Sequence, residues 1–238
     1  MQAMILAAGY GQRLRPLTDR IPKALVEVGG VTQLGRTISA LEDAGADRII
    51  VNTHHHAAQV EDWLGRQTTR AEIVLSREEP APLETGGGLL YARSLFEPGL
   101  PILVHNVDII TSIDLGVLFD GHGPNAMATL AVHERPASRY LLFDDIGLQG
   151  RLHVSSGHRE EVREARGPVS RVAFSGVHVA SGSVFDHIEE TGAFSIMDLY
   201  LRLAMAGASV SPADVTDARW FEIGTPERLD AARSAIGS

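Results

Sequence analysis

The stretch LAAGYGQRLRPLTDRIPKAL, residues 6–25, overlaps the apolar run Met4-Ile5-Leu6-Ala7-Ala8 and decides how the rest of the chain is read. A short apolar strand ending on Gly9-Tyr10-Gly11 opens like a dinucleotide loop, and in open parallel sheets ligands bind outside the carboxyl ends of the strands. Glycines there let the main chain approach a phosphate and aim N–H groups at its oxygens. For a GxG alone, a tight strand-to-helix turn without a ligand is the alternative. A dinucleotide site also needs a third glycine and an acidic residue ending the second strand, about 20 residues on. Leu14 stands where that glycine belongs, and the second strand ends far downstream at Val51-Asn52-Thr53 with no carboxylate. No Gly-Lys-Ser/Thr occurs in the segment, which argues against a P-loop.

Outward from this loop, strand and helix patterns alternate. Leu34, Ile38 and Leu41 recur at i, i+4 and i+7, RIIVNT follows the turn at residues 44–47, and Val60, Trp63 and Leu64 mark the next helix. AEIVLS, a helix over about residues 87–96 and PILVHNVD complete the series. This alternation predicts an α/β fold: a Rossmann-like, mostly parallel sheet flanked by helices. The second half changes. YLLF, RLHV and VAFSGVHVA are separated by turn residues, so a β-rich insertion is expected before a helix around Ile196, Leu199, Tyr200 and Leu203. Asp144-Asp145 ahead of Gly147 reads as a hairpin turn, and the charged residues 155–168 read as a mobile surface loop. RWFEIG is a last strand, and Thr225 with Pro226 suits a helix start. A single domain over residues 1–238 is expected, with halves at 1–134 and 135–238.

The 238 residues are 44% hydrophobic, sufficient for one buried core, and no apolar run approaches the roughly 20 residues of a membrane helix. No basic residue precedes the first apolar run, so no secretory signal is expected and a cytoplasmic location is. A formal charge of -9 disfavours nucleic acid as a partner, since affinity there comes from cations on phosphates. A small anionic substrate needs only one local cationic pocket. With no cysteine, disulfides, thiolate zinc sites and cysteine nucleophiles are excluded. Nothing in the sequence calls for an obligate protein partner.

Of 21 basic side chains, 20 are arginine, and the one lysine, Lys23, lies in the opening segment just after Pro22. A compact ammonium reaches a crowded phosphate site as a point charge, which a guanidinium fork does not; chance retention of one lysine is the alternative. With Arg13 and Arg15, the loop gathers three cations and two glycines.

Leu6-Ala7-Ala8-Gly9-x-Gly11-x-Arg13-Leu14-x-Pro16-Leu17-Thr18, followed by Pro22-Lys23, resembles the signature of sugar-1-phosphate nucleotidyltransferases of GT-A-like fold. The resemblance implies that Leu6, Ala8, Gly9, Gly11, Arg13 and Lys23 hold the nucleoside triphosphate, with Arg13 and Lys23 acting on its phosphates. Leu83-Glu84-Thr85-Gly86-Gly87-Gly88 matches the second nucleotide segment, implying contacts from Glu84, Thr85, Gly86 and Gly87, with Asn106 nearby. Taken alone, TGGG is a turn or a flexible helix start. Asp108 ends a buried-strand pattern, where a carboxylate needs a cation beside it or open solvent around it. The resemblance implies Mg2+ there, with Asp108 catalytic and also facing the sugar. The family's second metal acid is an aspartate in Trp-x-Asp-x-Gly-Thr; this chain has Glu222 in Trp220-Phe221-Glu222-Ile223-Gly224-Thr225, which alters the metal geometry. Phe174-Ser175-Gly176-Val177 matches the sugar-side strand, implying Ser175, Gly176 and, further on, Asp198 as sugar contacts. Residues 135–238 would then be the sugar-binding half.

Within the family the pattern looks most like N-acetylmuramic acid 1-phosphate uridylyltransferases, with mannose-1-phosphate guanylyltransferases sharing much of it. The implied substrates are an NTP and a sugar 1-phosphate. A hexapeptide-repeat acyltransferase activity is not expected. A phosphocholine cytidylyltransferase and a non-catalytic nucleotide-sugar binding module are the other readings, the latter kept open by Glu222. His54-His55-His56 invites a metal, but adjacent loop histidines do not converge on one ion, and a polar loop end is expected instead.

Overall fold

A computed structural model describes residues 1–237. In chain order its strands and helices are β1 (Gln2–Leu6), β2 (Glu27–Val28), β3 (Val31–Thr32), α1 (Gln33–Asp43), β4 (Arg48–Thr53), α2 (Ala57–Leu64), β5 (Glu72–Arg77), α3 (Glu84–Tyr91), β6 (Ile102–Asn106), β7 (Ile109–Thr111) and α4 (Leu115–Asp120). There follow β8 (Ala126–His133), β9 (Arg139–Asp144), β10 (Gly147–His153), β11 (His158–Glu161), β12 (Ser170–Ala180), α5 (Ile196–Met205), β13 (Ser209–Asp214), β14 (Trp220–Glu222) and α6 (Pro226–Ile236).

From Ala3 on, β1 is apolar because both of its faces are covered. Met4 points into one core with α3 and α5, while Ala3 and Ile5 point into the other with α1, α2 and α4, as the two-residue period of a strand requires. β6, β1, β4 and β5 form a parallel run within a ten-stranded sheet. β12 joins it antiparallel to β6, and β8, β9, β10 and β11 extend the sheet mainly antiparallel. The mostly parallel first half and the β-rich second half are as expected from the alternation of patterns. Strands from both halves share one sheet, because β13 pairs with β8.

Three local expectations change. The helix expected over residues 87–96 runs Glu84–Tyr91 and then tightens into a 3-10 turn. Residues 155–168 are not a free loop: β11 pairs with β10, and Arg163 grips the Asp144 carboxylate with two hydrogen bonds of 2.6 and 2.7 Å. RWFEIG does form the expected last strand, β14, but apart from the main sheet, in a two-stranded ribbon with β7. The Asp144-Asp145 hairpin and the Thr225 cap, whose side chain accepts from Arg228 N–H, are as expected.

Leu14, which broke the dinucleotide pattern, is buried in a third, smaller cluster with Val26, Ile110, Ile223 and Leu229. A side chain replaces the absent glycine because the loop anchors sideways, onto the β7–β14 ribbon and α6.

Candidate active site

The carboxyl ends of β1 and β6 lie side by side, Leu6 opposite Asn106, so the loops that follow them share one rim. After β1 the chain makes short 3-10 turns at Gln12–Leu14 and Leu17–Asp19. Gly11 has φ +62°, and a Cβ there would stand 2.8 Å from Thr18 Cγ2, while Thr18 Oγ1 donates to the Gly11 carbonyl at 2.8 Å. Only glycine fits that fold-back. A Cβ on Gly9 would meet no protein atom, so its bare backbone faces open space.

Lys23, on the 3-10 turn Lys23–Leu25, and Asp108, two residues beyond β6, meet at this rim. Lys23 Nζ donates to Asp108 Oδ2 at 2.5 Å, with side chains only 13% and 21% exposed. Charges so far from bulk solvent interact more strongly than an exposed pair. The pair lines a first cavity of about 410 Å³ together with Leu6, Ala8, Gly9, Glu84, Thr85 and Asn106. A neighbouring cavity of about 440 Å³ shares Gly9 and Lys23 with it and adds Gly11 and Arg13. Most residues expected at the nucleotide therefore do converge.

Gly86 and Gly87 do not line either cavity. They are buried in α3, where a Cβ would stand 2.3 Å from the Phe194 ring and from the Gly192 carbonyl respectively. Their glycine character serves helix packing: both N–H groups donate to the Phe194 carbonyl, and Thr85 Oγ1 accepts from Ile196 N–H at 2.9 Å. Glu84, at φ +60°, adopts a left-handed conformation that a non-glycine residue takes only at a cost.

The sugar-side residues need correction too. Ser175, expected as a sugar contact, is fully buried with an unpartnered Oγ; its carbonyl accepts from Trp220 Nε1–H at 2.8 Å. Gly176 has φ +79°, where β12 slips register against β8, and a Cβ would crowd Ile109 and Asn106. It shapes the wall instead of exposing a donor. Asp198 is half exposed and accepts from Arg151 Nη1–H at 2.5 Å, so it holds an arginine that lines a cavity together with Arg139 and Ser195.

Glu222 and Asp108 come from adjoining backbones, with Ile223 N–H donating to the Asp108 carbonyl at 3.0 Å. Their carboxylates are engaged by different cations. Glu222 accepts from Arg13 Nη2–H at 3.2 Å and from Arg228, and it lines a second cavity of about 290 Å³ beyond Arg139 and Ser195. Magnesium binds through one or two carboxylates plus substrate phosphates and water. Asp108 and Glu222 fit that donor set, although no cluster of three or more metal-ligating side chains exists among the described residues.

Two residues not anticipated from sequence hold the rim together. Asn52, at the end of β4, accepts from Ala7 N–H at 2.5 Å and donates to Glu78 Oε1 at 2.6 Å, while Glu78 Oε2 accepts from Leu83 N–H at 2.7 Å. This relay ties the first glycine loop to the start of α3. Burial raises the Glu78 pKa, against these hydrogen bonds. The signal was an asparagine ending a central strand, noted only for lacking a carboxylate. The histidine triplet is a polar loop end that works: His55 Nε2–H donates to the Thr18 carbonyl at 3.0 Å and His54 Nδ1–H to the Glu78 carbonyl at 2.9 Å.

The sequence profile described as nucleotidyl transferase matches residues 2–237. The chain is 34% identical to an N-acetylmuramate alpha-1-phosphate uridylyltransferase of Neisseria meningitidis serogroup B, covering 100% of this chain and 99% of that one. It is 32% identical to the protein of the same name from Caulobacter vibrioides, over 98% and 96% of the two chains. The fold is shared with crystalline HddC from Yersinia pseudotuberculosis complexed with GMP-PN, at a TM-score of 0.78 and 22% identity over 99% of each chain. No helix among the described residues is long and apolar enough to cross a membrane.

Proposed function

The chain belongs to the nucleotidyl transferase family, and from that premise we propose that it joins UTP to N-acetylmuramic acid 1-phosphate, giving the UDP-sugar and pyrophosphate. One observation carries this reading: a single lysine, Lys23, held 2.5 Å from Asp108 where two glycine-lined cavities meet at the ends of β1 and β6. An oxygen of the sugar phosphate attacks the α-phosphorus, the bond to the β-phosphate oxygen breaks, and pyrophosphate leaves with the bonding electrons. A phosphate monoester has a second pKa near 6, so this nucleophile is already ionised at neutral pH and requires no general base.

The barrier is bringing two anions together and stabilising the leaving group. In this reading Gly9 and Gly11 lend main-chain amides to the β- and γ-phosphates. Arg13 opposes their charge, Lys23 meets the charge developing between α- and β-phosphates, and Leu6, Ala8, Glu84, Thr85 and Asn106 flank the nucleoside. Mg2+, held by Asp108 and Glu222, would supply neutralising charge to the phosphates. The sugar extends past Arg139 into the second cavity. A cytoplasmic setting, where nucleoside triphosphates are supplied, belongs to the same reading.

The test is a matrix of NTPs against sugar 1-phosphates and phosphocholine, with Mg2+, read by pyrophosphate release. The highest kcat/KM is expected for UTP with N-acetylmuramic acid 1-phosphate. A preference for GTP with mannose 1-phosphate or for CTP with phosphocholine, or binding without turnover, would replace this reading.

A further inference from the structure

The first cavity holds a buried carboxylate that the transfer chemistry does not use. Glu78, one residue beyond β5, is fully buried and lines the cavity beside Asn52. No ion pair among the described residues involves it, and burial raises its pKa. Its oxygens are engaged within the protein, Oε1 by Asn52 Nδ2–H at 2.6 Å and Oε2 by Leu83 N–H at 2.7 Å. Its main chain is engaged as well: the N–H donates to the Thr53 carbonyl at 2.8 Å, and the carbonyl accepts from His54 Nδ1–H at 2.9 Å. A Cβ on Gly88 would stand 2.5 Å from Glu78 Oε1 and 2.7 Å from Asn52 Nδ2, so α3 closes tightly over the pair. A buried polar network satisfied in this way rigidifies the elements it joins.

The other side of Asn52 faces the glycine loop. Its Oδ1 accepts from Ala7 N–H at 2.5 Å, where β1 gives way to that loop. The far end of the loop is tied to the same strand end, since His55 Nε2–H donates to the Thr18 carbonyl at 3.0 Å. The two segments that the proposed reaction gives to the nucleotide, the loop from Ala7 to Thr18 and the start of α3 after Leu83, are thus both referred to the end of β4. A bridge between an N–H and a carboxylate needs one acceptor and one donor, which an amide side chain supplies and an ionised carboxylate does not. We propose that Asn52 is a positioning residue for the transfer: by bridging Ala7 to Glu78 it fixes the spacing between the segment beside the nucleoside and the loop beside the phosphates, and so presents the α-phosphorus to Lys23 and Asp108. It acts through the main chain of Ala7 and Leu83, and a misplacement of about 1 Å at a reacting centre is enough to cost about 100-fold in rate.

This inference rests on the transfer reaction proposed above, and the parent enzyme separates the two. With UTP, N-acetylmuramic acid 1-phosphate and Mg2+, kcat and KM for UTP are measured for the parent, Asn52→Ala and Asn52→Asp from about pH 6 to about pH 8.5, a range above the ordinary carboxylate pKa. Hydrogen exchange of residues 6–11 and 83–86 is followed over the same range without substrate. Asn52→Ala should lower kcat by about 10- to 100-fold while KM for UTP changes less than about threefold, as expected of a group that sets geometry and not ground-state affinity. Asn52→Asp sets two carboxyl groups face to face; a shared proton keeps the bridge closed in acid and is lost as pH rises through their raised apparent pKa. Its kcat relative to the parent should therefore fall about tenfold or more toward the alkaline end, with exchange in both segments rising over the same interval. Taking the ratio at each pH removes the titration of the substrate phosphate near pH 6. It also removes that of the groups both enzymes share: His54 beside Glu78, and Lys23, Glu84, Asp108 and Arg139 in the same cavity. Should Asn52→Ala not fold, the Asn52→Asp profile decides alone. A kcat ratio for Asn52→Asp that is flat with pH, or a loss in Asn52→Ala that lies in KM alone, overturns the inference and leaves the reaction standing. A parent that releases no pyrophosphate overturns both.

Discussion

The two ends of the cleft are fastened by different forces. The end where we place the phosphates is a glycine loop anchored by an apolar residue, Leu14, in a small cluster shared with the β7–β14 ribbon and α6. The end where we place the sugar is a hairpin anchored by charge: Arg163 bridges both oxygens of a fully buried Asp144 carboxylate and also donates to the Gly147 and Leu148 carbonyls. The same contrast holds inside the cleft. At the first of these ends Lys23 meets Asp108, whereas at the second Arg135 and Arg139 line a cavity without a carboxylate partner among the described residues. Apolar anchoring leaves the loop's amides free for a ligand, while ionic anchoring makes the sugar end responsive to pH.

The largest expected effect is Asp108→Asn, which removes charge from the pair at the rim. Loss of one preorganised electrostatic group costs about 3 to 4 kcal/mol, so kcat should fall about 100- to 1000-fold. Next is Asp144→Ala, which strands a mostly buried Arg163. A loss of about 3 kcal/mol in denaturant unfolding is expected, the lower part of the range for breaking a buried pair because Arg163 is still 16% exposed. Leu14→Ala should cost about 2 to 3 kcal/mol, with NTP affinity falling more than sugar phosphate affinity, since the vacated cluster lies beneath the phosphate loop. The smallest is Asp19→Asn. Its ion pair with Arg15 lies on the surface, with side chains 52% and 59% exposed, and losing it should change stability by no more than about 0.5 kcal/mol.

Acid sharpens the same contrast. Arg163, helped by the Arg166 and Ile146 N–H groups, holds the Asp144 carboxyl well below the usual carboxylate range. Its contribution is therefore complete above the unfolded pKa near 3.8 and is lost as pH falls below it. Hydrogen exchange at decreasing pH should show residues 158–168 opening before residues 9–19. Burial also lowers His105 to about 4 and His178 to about 3, so both stay neutral in the fold. The unfolded chain takes up those protons first, so global stability should decline as pH drops from about 6.5 toward 4. His178→Phe should flatten that decline.

What the sequence disclosed was what local pattern encodes. β1, β4 and β6 announce themselves as apolar runs because both faces are buried, and Lys23 stands out because it is the chain's one lysine. The relay from Ala7 through Asn52 and Glu78 to Leu83 joins three chain segments that only the folded sheet brings together, and no spacing rule reports it. Gly86 and Gly87 were legible as glycines but not in their purpose, because the partner that excludes a Cβ is at residues 192–194, about a hundred positions away. Arg135 and Arg139 were lost among 20 arginines. That neither has a carboxylate partner among the described residues is a property of the fold and not of the string.

The central claim is that an ammonium of the size and reach of Lys23, set against Asp108, supports transfer at the α-phosphorus. It is tested most directly by pyrophosphate release from Lys23→Arg at saturating UTP and N-acetylmuramic acid 1-phosphate. The fold should survive, since Lys23 is in a 3-10 turn at the rim, and kcat should fall about 100-fold or more because a guanidinium does not reproduce the point charge. A Lys23→Arg enzyme that turns over like its parent would contradict the account.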